Sequence, residues 1–282
     1  MKIALIPNTI KDSGLKVTNA VADFLCGKGA DLYLENKYSI GIITGVCAVD
    51  TLPTDLDLIL VVGGDGSVID ASVYATELDV PILCVNLGNL GYLAELEPSE
   101  LEKLSMLFDG SYTVEERMLL STSVSYGDVL ERSERLAVNE VIVSHESYVG
   151  LAHLKLAESN GAGVKYRADG LILSTPIGST AYSLSAGGPI VSHDIDSILA
   201  TPICPHSFFN RSIIFKPSEE LSVTNEGDES LNVTVDGRFF TKLLPGGVCT
   251  VKAAEKKLKM ISFNENNMFQ ALFGKMKKLE SI

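Results

Sequence analysis

The sequence predicts an α/β domain on a parallel, Rossmann-like sheet, followed by a β-rich, sandwich-like domain. Three observations lead there. In the first third, short Val/Ile/Leu runs alternate with helical patterns, as in parallel strands covered on both faces. From about residue 112 the texture changes to short strand candidates punctuated by Gly, Asn, Asp and Pro. A chain of 282 residues is also long enough for two cores. The expected division is 1–111 for the α/β domain and 112–265 for the β-rich domain, with a helix over 266–282 returning to the first.

The first-domain strands are KIALI (2–6), DLYLE (31–35), DLILVV (57–62) and VPILCVN (80–86). Between the first two, Val17, Ala20, Val21, Phe24 and Leu25 form a helical stripe, and Gly27 and Gly29 stop it. SVIDASVYATEL (67–78) and SELEKLSMLFDG (99–110) supply further helices. In the second domain, 117–144 reads as two strands with a turn near Gly127-Asp128. Further strand candidates are 151–159, 164–176, 211–217, 220–227, 231–243 and 248–263, with a short helix at STAYSLSAGG (179–188). At the end, Phe269, Leu272, Phe273, Met276 and Leu279 share one helical face, expected to pack on the first domain.

Composition limits the function classes. The chain is 46% hydrophobic and 21% charged, values of a soluble globular protein. No apolar run approaches the roughly 20 residues of a membrane helix, and MKIALIPN does not read as a secretory leader. Cys26, Cys47, Cys84, Cys204 and Cys249 are scattered without a CxxC pair, which suits reduced thiols in a cytoplasm and no zinc site. A net charge of −13 argues against nucleic-acid or anionic-membrane partners. An acidic protein handling phosphates needs local donors: backbone N–H groups, a few arginines, or Mg²⁺.

The chemistry-bearing motifs begin at GGDG, residues 63–66. It sits where a buried strand passes into a helix, and the carboxyl ends of parallel strands face the ligand crevice. Glycines let a ligand approach the backbone, and N–H groups at the helix start can cradle an anion. Asp65 is there a candidate base or metal ligand, or a turn or cap residue. The next strand end carries NLGNLGYLAE (86–95), with Asn86, Gly88, Gly91 and an aromatic ring at Tyr92. Asn139 and Glu140 stand together in an apolar strand, where an amide and a carboxylate can hold a ribose diol; an edge pair facing water is the alternative.

The block 166–191 gathers Arg167, Asp169, Thr180, Ala181, Tyr182 and Ser185 around one buried strand. Its ring and hydroxyls, Ser179 among them, suit a nucleobase or a nicotinamide amide. Asp236-Gly237 reads as a hairpin turn followed by Arg238. Arg167, Arg211 and Arg238 are candidate phosphate partners, with Gly63 and Gly64 as the backbone cradle. His206 reads as a structural hydrogen-bonding group.

These motifs, with PICPHSFFNRSI (202–213) and TVDG (234–237), occur in the order found in bacterial NAD kinases, and the sequence resembles that family over nearly its whole length. The long STAY-containing block is the most specific. The resemblance implies transfer of the γ-phosphoryl of ATP, or a phosphoryl of polyphosphate, to the 2′-hydroxyl of the adenosine ribose of NAD, giving NADP. It gives Asp65 contact with the accepting hydroxyl and assigns Asn139 and Glu140 to the ribose. Asp169, Thr180, Ala181, Tyr182 and Ser185 fall around the bases, with Gly66, Tyr92 and Asp236 near the dinucleotide. It further implies Mg²⁺ entering through the ATP phosphates rather than on a protein site, and a homodimer or homotetramer. GGDGS stands where GGDGT is commoner, Tyr92 stands where phenylalanine is commoner, and PNT (7–9) matches no family pattern. A lipid or sugar kinase sharing the GGDG turn, and a dinucleotide sensor without catalysis, are the competing readings.

Overall fold

The structure, a computed structural model, describes residues 1–38, 43, 45–88, 92–127, 129–146 and 150–263, with residues 130–133 described by backbone alone. The helix expected over 266–282, Gly91 and Asp128 lie outside the described residues.

The chain opens with β1 (Lys2–Pro7), α1 (Lys16–Gly27), β2 (Asp31–Glu35), β3 (Val46–Val49), β4 (Leu58–Gly63), α2 (Asp65–Leu78) and β5 (Ile82–Asn86). A 3₁₀ segment, Pro98–Ser105, leads into the single turn of α3 (Met106–Asp109) and then β6 (Thr113–Arg117). The strands that follow are β7 (Leu120–Tyr126), β8 (Val129–Ala137), β9 (Glu140–His145), β10 (Ala152–Glu158), β11 (Gly163–Ala168) and β12 (Gly170–Ser174). After α4 (Tyr182–Ser185) come β13 (Ile198–Ile203), β14 (Ile213–Phe215), β15 (Leu221–Asn225), β16 (Leu231–Val235), β17 (Arg238–Leu243), β18 (Val248–Ala253) and β19 (Leu258–Ser262).

The chain divides into two compact units, residues 1–116 with 258–282, and residues 117–257. Unit 1 holds a sheet of order β3-β2-β1-β4-β5-β19-β6. Its pairings from β3 through β19 are parallel. The strand order turns back between β1 and β4, which makes that junction the switch point where doubly wound sheets bind ligands. β4 is buried at every position. α1 covers the sheet with Val21, Ala22 and Leu25, and its entry is tied down by Asp12, whose carboxylate accepts the N–H groups of Val17 (3.1 Å) and Thr18 (2.8 Å).

Unit 2 is a sandwich of two antiparallel sheets, β11-β10-β15-β18-β7-β8 and β14-β13-β12-β9-β16-β17. Leu154, Leu156, Val223 and Val251 from the first sheet and Val143, Leu171, Leu173 and Val233 from the second share one core. On the opposite face of the second sheet, Ile142, Ile172 and Ile203 form a separate cluster under Ala186. β12 is thus covered on both sides, which is why its sequence is apolar without alternation.

β3 and β13 have no counterpart among the expected strands, and four expected segments take another form. Residues 117–144 make three strands after β6, because the chain breaks at Val138-Asn139 and changes sheets. The expected strand 164–176 is two, parted at Asp169 and lying in different sheets. The segment 248–263 is also two strands, and β19, expected in the β-rich domain, pairs in parallel with β5 of unit 1 through Met260 and Ile82. The 99–110 helix is mostly 3₁₀, with a kink at Glu100.

Candidate active site

In unit 1 the sheet delivers Asn8 and the GGDG turn side by side at the switch point. Asn8 follows β1, and its N–H donates to the Val62 carbonyl at 2.8 Å. Its side-chain oxygen accepts the N–H groups of Ile10 (3.2 Å) and Lys11 (3.0 Å), and its amide donates to Ser67 Oγ at 3.0 Å. This turn carries Lys11 over the glycines: a Cβ on Gly64 would lie 3.0 Å from Lys11 Nζ. A Cβ on Gly63 would lie 2.5 Å from Ser67 Oγ, so the strand end can approach the helix only without a side chain. At Gly66 a Cβ meets nothing within 4 Å.

Asp65 is the first residue of α2, behind Gly64 as N-cap. It does not cap its own helix. Its carboxylate accepts the N–H groups of Tyr92 (3.0 Å) and Leu93 (3.2 Å), tying the loop after β5 to the GGDG turn. Burial, then the Asp65 charge, pushes the Tyr92 phenol up. Burial raises the nearby Cys84 thiol to about 12, with Asp65 adding to the rise and Lys11 opposing it. A carboxylate and an ammonium therefore act on one neighbourhood at the amino end of α2, where the first N–H groups have no helical acceptor. A cavity of about 350 Å³ beside Asn86 is lined by Glu95, Glu97 and Glu100, a poor setting for phosphate.

In unit 2 the second constellation forms where β8 gives way to β9. Glu140 opens β9, an interior strand between β12 and β16, so the pair is not an edge feature facing water. The residue is only 6% exposed, and its Oε2 makes no hydrogen bond among the described residues. Burial, reinforced by the nearby Asp236 charge, raises Glu140 to about 7. Asp236 stands at the β16–β17 turn with φ +47°. Its Oδ2 accepts the Val138 N–H at 2.8 Å, and its Oδ1 accepts those of Asn139 (2.8 Å) and Glu140 (3.0 Å). Burial raises Asp236 as well, against the pull of those three donors.

The other side of this segment is held by the start of the STAY block. Thr175 donates its N–H to the Asn139 carbonyl (2.9 Å) and its hydroxyl to the Val138 carbonyl (2.6 Å). A Cβ on Gly178 would come within 2.1 Å of the Asn139 oxygen. Ser179 is fully buried and binds the Pro176 carbonyl, whereas Thr180 Oγ1 donates to the Ile177 carbonyl. Ala181 begins the last turn, Tyr182 is 44% exposed, and Ser185 is exposed.

Asp169 is not part of this cluster. It precedes the Gly170 end of β12, whereas Glu140 pairs with Ser174 at the other end. There Asp169 lies 3.6 Å from His145 Nε2. Arg167, Arg211 and Arg238 are exposed, and His206 donates its backbone N–H to the Arg167 carbonyl. No group of three or more His, Cys, Asp or Glu side chains able to hold a metal occurs among the described residues.

Two stretches of the chain match known domains: residues 3–112 the ATP-NAD kinase N-terminal domain, and 138–263 the ATP-NAD kinase C-terminal domain. The chain belongs to the NAD kinase family. An NAD kinase from Caldanaerobacter subterraneus subsp. tengcongensis is 34% identical over 279 residues, covering 98% of each chain. One from Acetivibrio thermocellus is 35% identical over 282 residues, 98% of this chain and 97% of its own. Among solved structures, yeast NADH kinase complexed with NADH has a TM-score of 0.84 at 21% identity, covering 98% of this chain and 87% of its own. An Archaeoglobus fulgidus NAD kinase in complex with ATP has a TM-score of 0.74 at 24% identity, covering 98% and 99%. At those identities the two structures establish the NAD kinase fold.

Asn8, Lys11 and Thr175 are site neighbours that the motifs did not single out. Thr175 lies within the 166–191 block. Nothing in PNT or its spacing pointed to Lys11.

Proposed function

We propose that this chain is an NAD kinase that transfers the γ-phosphoryl of ATP to the 2′-hydroxyl of the adenosine ribose of NAD. Membership of the family supports the reaction. The observation that carries the site assignment is Asp65, at the strand end of the switch point, beside a glycine turn and an ammonium.

In the reaction the ribose oxygen attacks the γ-phosphorus, the bond to the bridging β–γ oxygen breaks, and ADP leaves. Asp65 orients the hydroxyl and takes its proton late in a loose transition state. Each carboxylate oxygen retains a lone pair beyond the one given to Tyr92 or Leu93. Gly63, Gly64 and Lys11 answer phosphate charge, with Arg167 and Arg238 as further candidates. Mg²⁺ arrives with ATP as part of the substrate. Asn139 and Glu140 hold the ribose, and the unpartnered Oε2 of Glu140 supports that role, since a buried acceptor without a donor is costly to keep. Asp169, Thr180, Ala181, Tyr182 and Ser185 surround the bases, with Gly66 and Tyr92 near the dinucleotide.

The reading extends to a cytoplasmic homo-oligomer, a dimer or tetramer. The five free cysteines support the compartment. Exposed Ile214 on edge strand β14 and Phe239 on the opposite edge strand β17 leave apolar side chains on open sheet edges, which supports association.

The test is NADP formation from NAD, ATP and Mg²⁺ by the wild type and by Asp65→Asn. Turnover that falls at least ~10²-fold in the variant, with NAD still bound, supports the assignment. Wild-type protein that binds NAD without turnover leaves a sensor. Wild type that neither binds nor turns over overturns the reading.

A further inference from the structure

We propose that Asp236 is a positioning residue whose carboxylate fixes the Val138–Glu140 backbone, so that Asn139 and Glu140 are presented to the ribose ready-made. The inference rests on the NAD kinase reading, but concerns how the chain orders its own binding segment before substrate arrives.

The need for such a device follows from the topology. Between β8 and β9 the chain crosses from one sheet of the sandwich to the other. Val138, Asn139 and Glu140 turn three successive N–H groups towards one point. A neutral side chain cannot accept three such donors with good geometry, whereas a carboxylate offers about four lone-pair directions. Asp236 accepts all three at 2.8–3.0 Å, and its own N–H returns to the Glu140 carbonyl at 3.0 Å. Three of those directions are therefore committed within the chain.

The backbone at Asp236 agrees. It holds φ +47°, a region that an L-residue other than Asn or Asp enters at a cost. Aspartate is tolerated there and Gly237 follows at φ +73°, so the turn can carry the carboxylate at little strain. On the far side, Thr175 engages the carbonyls of Val138 and Asn139. N–H groups are held from one loop and carbonyls from another, and the segment between has little freedom left. Binding then avoids the entropy of ordering it, which is the general gain from preorganisation.

Two substitutions test this without straining the turn. Asp236→Gly accepts the positive φ and removes the carboxylate, whereas Asp236→Asn keeps one acceptor oxygen and the turn. Amide hydrogen exchange of peptides spanning 137–142 is measured in the ligand-free proteins, with KM for NAD and for ATP from initial rates. The expected result is faster exchange in Asp236→Gly, a rise in KM for NAD of tenfold or more, an unchanged KM for ATP, and intermediate values for Asp236→Asn. Unchanged exchange in Asp236→Gly overturns the proposal, and so does an equal rise in both KM values. If Asp236→Gly fails to fold, Asp236→Asn decides by the same two readouts. Wild-type protein with protected 137–142 amides but no NADP formation would count against the NAD kinase reading, and the exchange comparison would still judge the clamp.

Discussion

Glu140 is the residue whose behaviour ties stability to chemistry. Its carboxyl is raised to about 7 by burial and by Asp236, which is itself raised by burial. Between the ordinary carboxylate range and pH 7, the folded chain keeps a proton that the unfolded chain has lost. Stability from this group is therefore fullest in acid and falls as pH rises, by on the order of 3 kcal/mol once pH exceeds 7. Asp236 adds a slope of the same sign. Urea midpoints from pH 5 to 8 should decline in the wild type and flatten in Glu140→Gln; an undiminished decline would assign the proton elsewhere. Asp65, Asn139 and Glu140 stand out as candidates in the sequence because each lies in a short contiguous motif at a strand boundary. Lys11 does not, because its approach to Gly64 depends on two strands lying side by side, with 52 residues of chain between. The use of Asp65 as an acceptor for the Tyr92 loop was equally hidden, since a hydrogen bond over 27 positions leaves no periodic trace.

Among the described elements, the turn from β12 into α4 has little tolerance. Gly178 packs against the Asn139 backbone, and backbone cannot rotate away as a side-chain tip can. Gly178→Ala is expected to cost about 2 kcal/mol through overpacking. By displacing Asn139 it should also raise KM for NAD while leaving KM for ATP unchanged. Melting temperature and initial rates check both halves; a stable variant with normal NAD kinetics would show that the segment yields freely. The strands were readable where apolar runs were uninterrupted, as in β4 and β12. β13 escaped because Pro202, opposite Leu171, removes a ladder donor and looks like a strand breaker. The break at Asp169 was hidden for the opposite reason: residues 164–174 read as one run although they serve two sheets.

At the scale of the molecule, charge is the constraint. A chain of net −13 repels a triphosphate, so on the proposed reading its counter-charge comes from the local donors and from metal carried on ATP. Chelation with EDTA should abolish turnover and restored Mg²⁺ should recover it, with the melting temperature unaffected in the absence of ATP. A fall in melting temperature on chelation would reveal a resident ion instead. The molecule is also interleaved along its length. β19 fills the place between β5 and β6, so the parallel sheet lacks an inner strand until residues 258–262 are available. On a ribosome, the sandwich of residues 117–257 can close as soon as it emerges, from one unbroken stretch. The parallel sheet, whose β1 to β5 precede the sandwich in the chain, must wait for residues 258–262, with the edge of β5 open until then. Of the two units, the one whose strands come first is completed last, and truncation between residues 117 and 257 would leave its sheet without β19.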